Sequence, residues 1–119
     1  MIPHIQTNTS KVTGNCWQTA VACVLDLEPE QIPHFVGAEV AGIVDDWWIY
    51  SYTWMFHHRL NLINLERHLY TGEYYLVMGK TVRDTYHVCV YQNGKIVHDP
   101  HPDASGLTHE EGFVVIRNH

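Results

Sequence analysis

The hydrophobic period of this chain changes halfway along, and that change limits the available folds more than any other feature. In the first half, Trp17, Ala20, Val21, Val24 and Leu25 fall at i, i+3, i+4, i+7 and i+8, which marks one face of a helix. From Tyr74 onward the pattern becomes short runs rich in Val and aromatics, and Asn93-Gly94 between two such runs is the strongest hairpin signal in the chain. Helices followed by hairpin-linked antiparallel strands describe an α+β domain. The 119 residues fit one domain over 1–119. At that size folding buries roughly two-thirds of the unfolded surface, enough for a self-sufficient core.

Residues 13–27 carry the helical signal, with Thr13, Gly14 and Asn15 as cap and turn residues, so Cys16 falls in the first helical turn. Cys23, two turns further on, reads as core packing. Residues 28–35 read as a short second helix, with Pro29 in its first turn and Pro33 ending or bending it, and residues 37–42 as a loop. Asp45 and Asp46 precede an amphipathic run from Trp47 to about Leu60, expected as a helix. Its aromatics occupy more than one face, so some are expected to stay partly exposed or to line a groove. Strands are expected at 62–69, 74–80, 86–91, 95–99 and 113–117, with a Pro- and Gly-bearing loop at 100–106.

Charge and length remove several classes of function. Seven Lys and Arg against thirteen Asp and Glu give a formal charge of -6, without the clustered cations that phosphate neutralisation needs, so nucleic acid is not an expected partner. The ten histidines make that acidity a near-neutral-pH property. No apolar run reaches the roughly 18 residues of a spanning helix, so no membrane partner is expected. Residues 1–18 lack the basic start and apolar run of a signal peptide. Three scattered cysteines do not make a secreted disulfide framework, and a cytoplasmic, reducing setting is expected.

A thiol is a useful nucleophile as thiolate, and the first turn of a helix favours the anion through unpaired N–H groups and the macrodipole. Cys16 has that position. It needs a base, which a downstream strand offers in His87, and the imidazole needs an acceptor to fix its tautomer, which the partnered strand offers in Asp99. With ten histidines present, some Cys/His/Asp combination arises by composition alone, and the bland alternative is a core Cys16 and an ordinary strand histidine.

Gly14-Asn15-Cys16-Trp17 opening a hydrophobic helix, followed by Tyr86-His87-Val88-Cys89-Val90-Tyr91, resembles a papain-like cysteine peptidase fold of minimal size. The stretch Val97-His98-Asp99-Pro100-His101-Pro102 with Ser105-Gly106-Leu107 is similar to small bacterial and phage proteins of that superfamily, as are Gln6-Thr7 and Ile32-Pro33-His34-Phe35. The resemblance spans most of the chain; the Trp-rich residues 44–60 match no motif. It implies Cys16 as nucleophile, His87 as general base and acid, Asp99 as orienter, and Gln6 as a side-chain donor to an oxyanion beside the Cys16 N–H. The implied function is a thiol-dependent peptidase, isopeptidase or amidase without a cofactor, acting on a protein or peptide, a host protein if the chain is phage-encoded. The alternative is a catalytically silent module that captures a partner through its aromatic surface. Gln6 precedes Cys16 by ten residues, so the intervening polar loop must fold back. Gln18 is a lesser rival for the same role.

His98, Asp99 and His101 with His57-His58 raise metal binding, but the paired, regularly spaced second half of a structural zinc site is absent, and no metal is expected. The triad makes a demand on hairpin register. A two-residue turn at Asn93-Gly94 pairs Gln92 with Lys95 and turns Asp99 away from His87. A three-residue loop pairs Tyr91 with Lys95 and brings Asp99 opposite His87, with Gly94 at positive φ. The triad reading expects the second register, with that side of the sheet facing the start of the Cys16 helix.

Overall fold

A computed structural model describes all 119 residues. Three α-helices and one 3-10 turn pack against a five-stranded antiparallel sheet, in the order helices first and strands second. The α+β expectation holds.

Helix α1 spans Cys16–Leu25 and ends at Asp26, which is left-handed and pairs its carboxylate with the Met1 amino group. Next, residues 28–35 do not form the expected helix. A 3-10 turn at Pro29–Gln31, closed by reciprocal Glu28 and Gln31 contacts, is followed by extended Ile32. The residue before a proline is disfavoured in the helical region, and Ile32 precedes Pro33. The expected loop at 37–42 is also corrected, because α2 runs Phe35–Val40. His34 caps it by accepting the Gly37 N–H through Nδ1, and a Cβ on Gly37 would lie 2.7 Å from that ring. Gly37 thus serves the cap rather than breaking the helix.

Helix α3 spans Trp47–His57, with Asp46 accepting the N–H groups of Trp48 and Ile49. It stops short of Leu60 because Arg59 adopts positive φ and starts β1 at Leu60–Leu65. The other strands are β2 (Tyr74–Lys80), β3 (Tyr86–Gln92), β4 (Lys95–His98) and β5 (His109–Asn118), in spatial order β1-β5-β2-β3-β4. Strand β5 is longer than its apolar stretch because it pairs on both sides, with β1 and with β2.

The sheet is covered on both faces. Leu62, Leu76, Val88, Val90 and Val114 pack against the helices with Trp17, Val21, Phe35 and Met55. Tyr75, Val77, Cys89, Tyr91 and Val115 form a second core under Leu69, Leu107 and Phe113. Strand β3, buried from His87 to Tyr91, therefore reads as an unbroken apolar run. The four Trp are not a surface. Trp47 and Trp48 pack at a tilt against Trp17, and Trp54 and Tyr50 meet Phe35 edge-on. What α3 exposes is Ile49, Tyr52 and Phe56.

Cys23 is fully buried in the helix-side core, with its thiol 3.8 Å from the His4 carbonyl oxygen. Burial pushes that thiol's pKa up, which makes it inert. Cys23→Ala should lower unfolding free energy by about 1 kcal/mol and leave Cys16 reactivity unchanged, read by urea denaturation and by alkylation rates. A loss of Cys16 reactivity at unchanged stability would contradict the packing role.

Candidate functional site

Cys16, His87 and Gln6 line one cleft of about 250 Å³, and Asp99 stands directly behind His87. Each arrives by a different local device.

The hairpin brings Asp99 into place by a route other than the expected one. Asn93 and Gly94 both have positive φ, at 51° and 79°, and form a two-residue turn that pairs Gln92 with Lys95 and Tyr91 with Ile96. The expected three-residue loop with Tyr91 opposite Lys95 is therefore corrected. Asn tolerates the left-handed region, and this turn matches the twist of the flanking strands. The next pair is Val90 with His98, so Val97 is the extra residue of a β-bulge. The bulge reverses the facing of every residue beyond it and returns Asp99 to the side of Cys89 and His87.

There His87 Nε2 donates to Asp99 Oδ1 at 2.5 Å, with both side chains almost wholly buried. Asp99 also accepts the His101 N–H through Oδ1 and the Gly106 N–H through Oδ2, both at 2.8 Å. The loop at 100–106 thus wraps around this carboxylate. Burial alone would drive the His87 pKa down. The Asp99 bond overrides it, with help from the Cys16 and Cys89 thiols, and the imidazole holds its proton well above its ordinary value near 6.5. Burial likewise opposes Asp99 ionisation, and the His87, His101 and Gly106 donors reverse it, so its pKa lies below the carboxylate range. With Nε2 committed to Asp99, Nδ1 is the imidazole nitrogen left for the thiol.

One part of the expected layout differs. His87 shares its side of β3 with Cys89 and Tyr91 in the second core, while Val88 and Val90 carry the face under α1. The thiol and imidazole come together at the first turn of α1 and the start of β3, not across the helix-covered face.

Asn15 was expected to cap α1, and its side chain makes no cap bond. Instead its Oδ1 accepts the Asn8 N–H and its Nδ2 donates to Thr7, while its own N–H bonds the Asn8 carbonyl. This closes the loop between Gln6 and Cys16. Gly14 is required there, since a Cβ would lie 2.5 Å from the Ser10 carbonyl oxygen. The first-turn N–H groups of Cys16, Trp17 and Gln18 consequently keep no partner within the protein.

Gln6 is carried back to the cleft by the same loop and tied by its N–H to the Pro100 carbonyl at 2.8 Å. Its Nε2 donates to the Asn8 carbonyl, which leaves a second N–H free. Its Oε1 is the single buried side-chain oxygen or nitrogen without a partner. Gln18 is not a rival, because its Nε2 donates to the Pro29 and Ile32 carbonyls and holds the 3-10 turn against α1.

The expected metal candidates disperse. His98 bonds the His4 carbonyl, and His57 and His58 are exposed on α3 and just beyond it. The ligating atoms of His87, Cys89 and Asp99 do lie within 4.8 Å of one another. Both Asp99 oxygens already accept hydrogen bonds there, from His87 Nε2 and the His101 N–H on Oδ1 and from the Gly106 N–H on Oδ2. Sequence reasoning missed Cys89 as a neighbour of this pair, although its i+2 spacing from His87 put it on the same side of β3. It also missed Lys11 and Arg83 at the cleft, for which no local pattern gives a signal, and His101, which the sequence places only in the stretch of residues 98–102.

Comparison of the chain with protein-family models, curated proteins and solved structures finds no match. No helix is long and apolar enough to cross a membrane.

Proposed function

We propose that this chain is a thiol-dependent hydrolase of amide or related acyl bonds, a peptidase, isopeptidase or amidase of papain-like type. The observation that carries this reading is the buried His87–Asp99 pair opening onto the same cleft as a cysteine in the first turn of a helix. A histidine made more basic by a buried carboxylate is suited to take the Cys16 proton at Nδ1. The Cys16 sulfur then attacks the carbonyl carbon, and the oxygen takes the electron pair. The Cys16 N–H and the free Gln6 N–H supply the donors for that oxyanion. His87 passes its proton to the leaving amine as the C–N bond breaks, leaving a thioester on Cys16. Water, deprotonated by His87, attacks the thioester carbon; the C–S bond breaks, the acid is released, and the Cys16 sulfur leaves with the bonding pair and recovers the proton from His87.

Iodoacetamide labelling at pH 6, followed by mass spectrometry, tests the chemistry. Cys16 should label more than about tenfold faster than Cys23, Cys89 or a free thiol, and His87→Ala should abolish the excess. An ester burst, with p-nitrophenyl acetate leaving an acetyl group on Cys16 that then hydrolyses, should be absent in Cys16→Ala. Ordinary thiol reactivity and no acyl-enzyme would favour the second reading, a silent domain that captures a protein partner. The exposed row of Ile49, Tyr52 and Phe56 on α3 is what supports that alternative.

A further inference from the structure

The charged side chains that line the cleft are basic, in a chain that is acidic overall. Of thirteen acidic residues none lines it, whereas Lys11 and Arg83 do, in a protein of formal charge -6. Each carboxylate that contacts a lining residue is itself outside the lining. Asp99 faces His87, Asp103 binds Arg83, Glu111 accepts the Tyr86 hydroxyl, and Glu39 accepts the Trp47 N–H. The His87–Asp99 and Arg83–Asp103 charges cancel as pairs, Glu111 and Glu39 keep their charge on neutral donors outside the lining, and Lys11 is exposed and in no ion pair. Arg83 spends only Nη1 on Asp103 and Ser105, so Nη2 and Nε of its guanidinium stay free to take a carboxylate. Trp17, Val36, Trp47, Met78 and Val88 give the same cleft an apolar part.

We propose that this cleft selects acidic peptide segments, placing an apolar side chain against the apolar Trp17–Trp47 part and a neighbouring carboxylate at Lys11 and the free side of Arg83. The proposal rests on the hydrolase reading for its substrate class, but its charge preference is measured separately. A cleft lined by one sign of charge concentrates ligands of the other, and that effect weakens with salt.

The test compares alkylation of Cys16 by the chloromethyl ketones of acetyl-Leu-Glu and acetyl-Leu-Gln, which match in shape and differ by one charge. The glutamyl reagent should react at least about threefold faster at about 20 mM salt, with the ratio falling toward one at about 0.5 M. Lys11→Glu, an exposed position, should bring the ratio below one. A ratio of one or less in the wild type, or one unmoved by Lys11→Glu, overturns the proposal. Iodoacetamide, a neutral reagent, reports the thiol itself in parallel. If its rate is ordinary the hydrolase reading fails, while the Glu-to-Gln ratio still reports the charge of the cleft.

Discussion

Asp99→Ala should cost about 3–5 kcal/mol of unfolding free energy and remove the enhanced reactivity of Cys16 in the same step. The magnitude reflects the number of groups the carboxylate holds. Its removal strands a buried imidazole together with the His101 and Gly106 N–H groups, which are separate donors inside one loop. Urea denaturation of the wild type and the variant measures the loss, and a difference below about 1 kcal/mol would contradict a buried, mutually dependent pair. The pH dependence has its origin in the same bonds. His87 has a raised pKa in the fold, so its contribution is full below the unfolded imidazole value near 6.5 and is lost as pH rises through the folded value. Asp99 has a lowered one, so its contribution is full above the unfolded carboxyl value near 3.9 and is lost as pH falls through the folded value. Wild-type stability from this pair should therefore be greatest between roughly pH 4 and 6.5, and Asp99→Ala should flatten both slopes.

Gly79→Ala should be as damaging, by a steric route. Gly79 pairs with His87 on one side of β2, and on the other it sits at the irregularity between β2 and β5. A Cβ there would lie 1.8 Å from the His109 carbonyl oxygen, a backbone atom that cannot swing aside. Either β5 shifts or the ladder opens, at a cost of about 3 kcal/mol or more. Because His87 is the cross-strand partner, the displacement should also slow Cys16 alkylation. A variant that folds with wild-type stability would mean that the β2–β5 approach is looser than this. Gly112→Ala is the control on β5, where the added carbon would meet only Met78 side-chain atoms at 3.4 Å or beyond.

Cys16 at a helix start, His87 on a strand and a turn at Asn93-Gly94 were legible because each depends on neighbours within a few residues. The bulge at Val97 was not, since it arises where β4 meets β3 and leaves no composition signal. It brings the Asp99 carboxylate to His87, where the turn by itself would have pointed it away. Helix α2 was hidden for a related reason, because Gly37 reads as a breaker until His34 is known to cap across it. The Asn15 cap failed in the opposite sense. A good capping residue found a better use in closing the loop that brings Gln6 to the cleft, and only the fold of residues 8–15 reveals the competition. Lys11 and Arg83 reach the cleft from an N-terminal turn and from the β2–β3 connection, a proximity set wholly by tertiary structure.

Cys16, His87 and Asp99 are proposed to act as one coupled unit. NMR titration of the His87 ring, read at its carbon Cε1 in the wild type, Cys16→Ala and Asp99→Asn, tests this most directly. The imidazole should still be charged at pH 7 in the wild type, with a titration midpoint that falls in Cys16→Ala and falls further in Asp99→Asn. A wild-type midpoint near 6.5, or one that Cys16→Ala leaves unmoved, would contradict the coupling.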